Sequence, residues 1–263
     1  MTAVVSADGT TVAHTVTGSG PAVVLVDGAL CHRAFGPAQG LAAQLAAHHT
    51  VHTYDRRGRG ESGDTAPYEV EREIEDLAAV IAAAGGTAAV YGISSGAALA
   101  LRAAEHGLGI TRLAVYEPPF ATEDGQRERF TGYAAGLATD LAEGRPGDAV
   151  ARFMAFVGAP EPVVEQMRSS PAWPAFEAVA PTLAYDAAVL DAPAGAGVPV
   201  AALAGLAVPV LVMAGGASPE LLRAPARAVA AAVPGAEYLT LPEQTHDVAP
   251  EALAPELLKF FAG

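Results

Sequence analysis

Short apolar segments alternate with longer helical patterns along most of this 263-residue chain. Strands are predicted at residues 22–26, 50–54, 87–91 and 110–116. Residues 22–26 form a continuous apolar run, which is typical of a strand buried on both faces. Strand–helix–strand repeats predict an α/β fold, in which a mostly parallel, twisted sheet carries helices on both faces.

Further strands are predicted at residues 11–17, 208–214 and 236–241, and core helices at 37–47, 70–83, 95–105, 219–233 and 250–261. The alternation stops between residues 120 and 206, where candidate helices at 127–143, 147–157, 162–168 and 182–190 are separated by Pro and Gly. An insertion after a sheet strand is expected to cover the carboxyl ends of the strands, where open α/β sheets bind ligands. We therefore predict a core of residues 1–119 and 207–263 with an inserted helical lid, residues 120–206.

Composition excludes several classes of protein. Hydrophobic residues make up 51% of the chain and charged residues 17%, which excludes a disordered protein. The net charge of −14 argues against a nucleic-acid partner and against docking on anionic lipid. The oligomeric state is left open.

The chain contains one cysteine, Cys31, so no internal disulfide and no metal site is expected. Residues 1–9 lack a basic segment followed by an apolar one, so no signal peptide is expected and a cytoplasmic location is predicted. Residues 198–217 carry no charge over the length of a membrane span, but Pro and Gly interrupt them. They are interpreted as a linker leading into a buried strand, with no membrane partner.

The strongest candidate for chemistry is a Gly-x-Ser-x-Gly motif, which runs from Gly92 to Gly96 with Ser94 at its centre. A serine hydroxyl is a weak nucleophile, and a sharp strand-to-helix turn presents it to a base. An apolar strand precedes the motif and a helical pattern follows it, which favours this reading over an ordinary loop. Such a turn also directs the backbone N–H of Ser95 at a developing oxyanion.

The candidate base is His246, which lies in the loop between the last predicted strand and the last helix. A base for Ser94 has to come from a loop at the same edge of the sheet. The alternative is a solvated loop histidine. Among the other histidines, His32 follows the strand at 22–26 and borders the expected site.

Together these features resemble the α/β-hydrolase superfamily over nearly the whole chain. The segment DRRGRGES at residues 55–62 is similar to the family's Asp-x-Arg-Gly-x-Gly-x-Ser loop, and the elbow, lid and late histidine occur in the family's order. The resemblance implies Ser94 as nucleophile, His246 as base, and the backbone N–H groups of Ala29 and Ser95 as the oxyanion hole.

The chain departs from the family pattern in the loop after the strand at 22–26. This loop usually begins His-Gly, but here it begins with Asp27 and Gly28. A carboxylate beside an oxyanion hole opposes negative charge unless it is paired, and His32 or Arg33 is the expected partner. Alternatively, Asp27 positions a substrate donor or a water molecule.

The second departure concerns the triad acid. The strand at 208–214 is followed by Ser218 where the family carries Asp, and a hydroxyl cannot stabilise an imidazolium as a carboxylate does. Some members of the superfamily carry the acid one strand earlier, and Glu117 stands at that position. Glu117 is therefore the predicted acid. The alternatives are a carboxylate that anchors the lid hinge and a dyad without an acid. Asp247 is expected to point elsewhere and to cap the last helix.

No cofactor is expected. A Gly-x-Gly-x-x-Gly pattern at residues 58–63 lacks the helix and the later acidic residue of a dinucleotide site. The predicted function is a serine hydrolase that cleaves a carboxylic ester, lactone or thioester. The alternatives are a lyase, cyclase or acyl-transfer reaction on the same fold, or a ligand receptor without catalysis. A small-molecule substrate with an apolar part is expected to contact six predicted pocket residues: Asp27, Leu30, His32, Tyr133, Met154 and Trp173.

Overall fold

The computed structural model describes residues 2–263 and contains one eight-stranded sheet over that range. The strands are β1 (Thr2–Val5), β2 (Thr11–Gly18), β3 (Ala22–Val26), β4 (Thr50–Tyr54), β5 (Ala88–Ile93), β6 (Ile110–Tyr116), β7 (Val210–Gly215) and β8 (Glu237–Leu241). Their order is β1-β2-β4-β3-β5-β6-β7-β8. Only the β1–β2 and β2–β4 pairs are antiparallel, so the predicted mostly parallel sheet is confirmed.

Five helices of eight or more residues pack on the two faces of this sheet: α1 (Ala38–Leu45), α2 (Val70–Ala83), α3 (Ser95–Glu105), α10 (Glu220–Ala232) and α11 (Pro250–Ala262). Helices α2, α3 and α10 contribute to the apolar cluster on one face, and α1 and α11 to the cluster on the other. Along β3, Val24 and Val26 join the first cluster while Val23 and Leu25 join the second. Alternate side chains of a strand point to opposite faces, which is why a continuous apolar run was required.

Six helices lie between β6 and β7: α4 (Asp124–Ala142), α5 (Pro146–Phe156), α6 (Glu161–Arg168), α7 (Trp173–Val179), α8 (Leu183–Val189) and α9 (Val200–Leu203). The four helices predicted in this region are confirmed within three residues at each end. Helix α7 was not predicted; it carries Pro174 in its first turn, a position that tolerates proline. The lid boundaries at residues 120 and 206 stay a prediction.

The ends of the sheet differ in detail from the sequence analysis. Strand β1 was not predicted, and β5 continues through Gly92 and Ile93 to the residue before Ser94. No helix within residues 2–263 combines the length and the apolar character needed to cross a bilayer.

A buried ion pair fixes the loop after β4 to helix α2. The Arg57 guanidinium donates to both carboxylate oxygens of Asp76, at 2.8 and 2.7 Å, and both side chains are almost fully buried. Arg57 also contacts Asp8, at 3.0 Å. Removing one partner of a buried pair leaves an uncompensated charge, so this loop depends on Asp76.

We expect Asp76→Asn to lower the free energy of unfolding by about 3 kcal/mol, because Arg57 would stay buried with Asp8 as its remaining carboxylate. Urea unfolding measures this. The control is Glu75→Gln on the same helix, whose half-buried pair with Arg72 is worth about 0.5 kcal/mol or less. Equal losses in the two variants would contradict a buried anchor at Arg57.

Candidate active site

Ser94 sits on a sharp turn between strand β5 and helix α3. Its backbone has φ 57° and ψ −128°, a left-handed conformation that residues other than glycine rarely adopt. Its N–H donates to the Tyr116 carbonyl at 3.0 Å, which ties the turn to β6. Strain of this kind persists only where the surroundings hold it, and it places the side chain at the carboxyl edge of the sheet.

Glycines around Ser94 allow main chains to approach each other closely. A Cβ atom on Gly96 would lie 2.5 Å from the Asp27 carbonyl oxygen and closer still to the Val26 oxygen. A Cβ on Gly28 would lie 3.0 Å from the Ser94 Cβ. The start of α3 and the loop after β3 therefore pack backbone against backbone, which brings that loop beside Ser94.

His246 and Glu117 are brought together from residues far apart in the chain. The His246 Nδ1 atom lies 2.6 Å from Glu117 Oε2, and the Glu117 side chain is fully buried. Glu117 follows β6, and its other carboxylate oxygen accepts the Gly215 N–H at 2.8 Å. Since a carboxylate only accepts, Nδ1 donates and Nε2 is left free to exchange a proton. Ser218 is a buried residue beyond the end of β7.

The loop that carries His246 is held by hydrogen bonds from Tyr116, at the end of β6, and from Ala217, just after β7. The Tyr116 hydroxyl donates to the Thr245 carbonyl at 2.6 Å, and the Ala217 N–H donates to the Gln244 carbonyl at 2.9 Å. Gln244 Oε1 accepts the Ala249 N–H at the start of α11, at 3.0 Å. Gln244, rather than Asp247, therefore caps the last helix, and the predicted cap at Asp247 is wrong.

Two cavities adjoin Ser94 and His246, and both residues line both cavities. The first chamber has a volume of about 320 Å³ and is lined by Gly28, Ala29, Cys31, Ser95, Phe130, Tyr133, Phe153, Asp186 and Asp247, among others. The second chamber has a volume of about 230 Å³ and is lined by Phe120, Gln126, Arg129, Ala196, Leu221 and Leu222, among others. Ala29 and Ser95, the predicted oxyanion residues, line the first chamber.

Of the six predicted pocket residues, Tyr133 lines the first chamber, and the other five lie elsewhere. Leu30 and Met154 are buried in the apolar core. Trp173 packs inside the lid and donates its indole N–H to Glu177 at 3.1 Å. His32 exchanges two backbone hydrogen bonds of 2.8 Å with Phe35, which holds it in a tight turn. These five residues line neither chamber, and their predicted contact with the substrate stays a prediction.

Asp27 is not among the residues that line either chamber. One of its oxygens lies 3.3 Å from where a Gly36 Cβ would stand, near the start of α1. Burial raises the pKa of Asp27 to about 7, against the opposing effect of Arg59 and Arg56. The expected pairing with Arg33 is wrong, because Arg33 binds Asp55 at 3.1 Å and Glu61 at 2.5 Å.

A family model described as "Alpha/beta hydrolase family" matches residues 18–256 of this chain. The chain belongs to the alpha/beta hydrolase family. A crystal structure of an alpha/beta hydrolase from Sphaerobacter thermophilus DSM 20745 is 52% identical, with a TM-score of 0.88 over 99% of this chain and 100% of that one.

More distant structures share the fold. A hydrolase from Pseudomonas aeruginosa PA01 is 23% identical, with a TM-score of 0.72 over 100% of this chain and 98% of that one. An esterase from Rhodococcus sp. ECU1013 is 22% identical, with a TM-score of 0.71 over 100% and 98%. A search of the curated proteins gave no match.

A buried ionic cluster in this hydrolase was missed by the sequence analysis. The Asp186 carboxylate, on helix α8, accepts from Arg56 at 2.7 Å, from Arg59 at 2.8 and 2.9 Å, and from the Ser95 hydroxyl at 2.7 Å. The two arginines lower the pKa of Asp186 although burial alone would raise it. The sequence analysis identified the arginines of the 55–62 motif. No motif or spacing in the sequence indicated that Asp186 would be their partner.

This cluster also fixes the peptide that carries the Ala29 N–H. Arg59 donates to the Gly28 carbonyl at 2.6 Å, and that carbonyl belongs to the same peptide group as the Ala29 N–H. A cation on the carbonyl holds the peptide plane and polarises its N–H toward stronger donation. Arg59 and Asp186 are thus placed to position both predicted oxyanion donors, one through Gly28 and the other through Ser95.

Two further observations limit the chemistry of the site, one on Cys31 and one on metal binding. Cys31 lines the first chamber, and burial raises the pKa of its thiol to about 12, so it stays protonated and is a poor nucleophile. Within residues 2–263, no group of three or more His, Cys, Asp or Glu side chains is arranged to hold a metal ion.

We expect Gly96→Ala to destabilise the hydrolase by about 2 kcal/mol or more, because its Cβ would overlap two backbone oxygens of the β3 loop. Helix propensity alone predicts the opposite sign. The matched control is Gly132→Ala in α4, where a Cβ meets nothing within 4 Å and should stabilise by about 0.5–1 kcal/mol. Thermal or urea unfolding of the two variants checks this, and a stabilised Gly96→Ala would refute the close packing.

Proposed function

We propose that this hydrolase cleaves a carboxylic ester, lactone or thioester through an acyl-enzyme on Ser94. The observation that carries the proposal is the 2.6 Å contact between His246 and the buried Glu117, at a cavity that Ser94 also lines. The nucleophile, base and acid then occupy the roles of a hydrolytic triad. The esterase name of the Rhodococcus structure is consistent with this reaction type.

In the first half-reaction, Ser94 Oγ attacks the substrate carbonyl while His246 Nε2 removes its proton. The carbonyl oxygen becomes an oxyanion, which the backbone N–H groups of Ala29 and Ser95 stabilise from the first chamber. Glu117 orients the imidazole through Nδ1 and stabilises its positive charge. His246 then protonates the leaving alcohol or thiol as the carbonyl–leaving-group bond breaks.

In the second half-reaction, His246 removes a proton from water, and the resulting hydroxide attacks the acyl-enzyme. The bond between Ser94 Oγ and the acyl carbon breaks, and the proton on His246 returns to Ser94. The products are one carboxylic acid and one alcohol or thiol. The buried cluster around Asp186 has a positioning role, because Arg59 and the Ser95 hydroxyl hold the two N–H donors in place.

The non-hydrolytic alternative depended on an acidic Asp27 at the site and on the missing acid after β7. With the Asp27 carboxyl turned toward α1 and Glu117 beside His246, neither feature favours that alternative. The proposed substrate is a small molecule whose apolar part lies among Phe130, Tyr133 and Phe153. A cytoplasmic location stays a prediction.

We expect Ser94→Ala to lower ester turnover by roughly 10³ to 10⁶, because nucleophile and base act as a unit. A fluorophosphonate probe should label the unmodified enzyme and fail to label Ser94→Ala. The matched control is Ser169→Ala, an exposed lid serine, which should be labelled at the normal rate. Equal labelling of all three proteins would refute Ser94 as the nucleophile.

We expect Glu117→Gln to lower kcat by about 10³- to 10⁴-fold with a small change in KM, because an amide cannot stabilise the imidazolium. The control is Ser218→Ala at the other candidate position, which should change kcat by less than about 3-fold. Steady-state kinetics on one ester measure both variants. A larger loss in Ser218→Ala than in Glu117→Gln would place the acid after β7 instead.

A further inference from the structure

The two chambers on either side of Ser94 differ in charge. The first chamber is lined by Asp247 and by Asp186, whose carboxylate is paired with Arg56 and Arg59. Among the described residues that line the second chamber, none is Asp or Glu, and Arg129 is the only one with a permanent charge. The remaining lining of the second chamber is mostly apolar, so Arg129 sets its electrostatic character.

Arg129 is unusual among the arginines of this acidic protein. Eleven of the fourteen arginines form a salt bridge within residues 2–263, and Arg129 does not. The other two are occupied elsewhere, because Arg102 donates to the Val189 carbonyl and Arg112 lies over the Phe260 ring. A guanidinium without a carboxylate therefore faces the chamber that opens on the nucleophile.

The Arg129 side chain is held in place without being neutralised. Its guanidinium carbon lies 4.8 Å from the centre of the Phe156 ring, and Nη2 donates to the Phe156 backbone oxygen. Stacking on an aromatic face leaves the in-plane N–H groups available. One of the five donors is used, so a planar acceptor such as a carboxylate can still bind in a bidentate manner.

Gln126, one turn earlier on α4, supplies a second donor. Its Oε1 atom accepts from the Thr122 N–H at 2.8 Å and from the Thr122 hydroxyl at 3.2 Å. The amide NH₂ group is thereby the end of Gln126 left for a ligand at the chamber. Arg129 and Gln126 together offer donors to the same chamber, which suits an anion or another strong acceptor.

We propose that the second chamber recognises a carboxylate, so that the substrate is an ester or thioester with a carboxylate on one arm and an apolar group on the other. This inference rests on the proposed function. The net charge of −14 repels an anionic substrate overall, so a local unpaired cation is needed to hold one. The apolar arm lies in the first chamber, among Phe130, Tyr133 and Phe153.

The experiment uses two matched pairs of esters. In one pair, the acyl arm ends in either a carboxylate or a methyl group of the same length. In the other pair, the alcohol arm ends in either a carboxylate or a methyl group. For at least one pair, kcat/KM of the unmodified enzyme should favour the carboxylate ester by about 10-fold, and high salt should reduce this preference.

Variants assign the preference to Arg129. Arg129→Gln should lower the ratio of carboxylate to methyl ester about 10-fold, and Arg129→Lys should retain part of it because the charge remains. Arg129→Glu should reverse the preference toward an ester that ends in trimethylammonium. The matched control is Arg127→Gln on the same helix, where an exposed side chain outside both chambers is changed and the ratio should stay constant.

Two results would overturn the proposal. One is a preference of the unmodified enzyme for the methyl ester in both pairs. The other is a carboxylate preference that Arg129→Gln and Arg127→Gln leave equally intact. In either case Ser94-dependent hydrolysis of the methyl esters would still support the proposed function. If the enzyme hydrolyses none of the esters and no fluorophosphonate labels Ser94, the proposed function fails and the carboxylate subsite fails with it.

Discussion

The candidate active site depends on the close approach of two main chains. Helix α3 begins so near the loop after β3 that a Cβ atom at Gly96 would overlap the backbone oxygens of that loop. Ser94, at the start of this helix, has a left-handed backbone conformation, and strain of this kind persists only where the surrounding structure holds it. The same contact carries Ala29 and Ser95 to the first chamber, so nucleophile and oxyanion donors share one structural cause.

Charge pairing is the second constraint, and it links helix α8 to the loop after β4. Arg56 and Arg59 are almost fully buried, so each requires carboxylates within reach. One of those carboxylates, Asp186, comes from helix α8, between β6 and β7. Through Arg59 and the Gly28 carbonyl, this helix is linked to the peptide that presents the Ala29 N–H. The position of α8 and the geometry of the proposed oxyanion hole are therefore linked by this cluster.

The geometry of the parallel sheet explains why the acid can come from β6. Neighbouring parallel strands end at the same edge, so a carboxylate after β6 and a histidine loop after β8 can meet beside β7. Glu117 does this while accepting the Gly215 N–H, which means that the end of β7 supports the acid instead of supplying it.

The sequence by itself predicted seven of the eight strands and the core helices through local periodicity, and Ser94 through a short motif. His246 followed from its place after the last predicted strand, and Glu117 from the resemblance to the superfamily. The positions of Asp27 and Arg33 and the lining of both chambers were decided by tertiary structure. Asp186, Arg129 and Trp173 lie on helices between β6 and β7, and the sequence of these helices does not show the direction in which each face packs. Arg56 and Asp186 are 130 positions apart in the chain. A contact at this separation leaves no mark in the hydrophobic periodicity or in the short motifs around either residue.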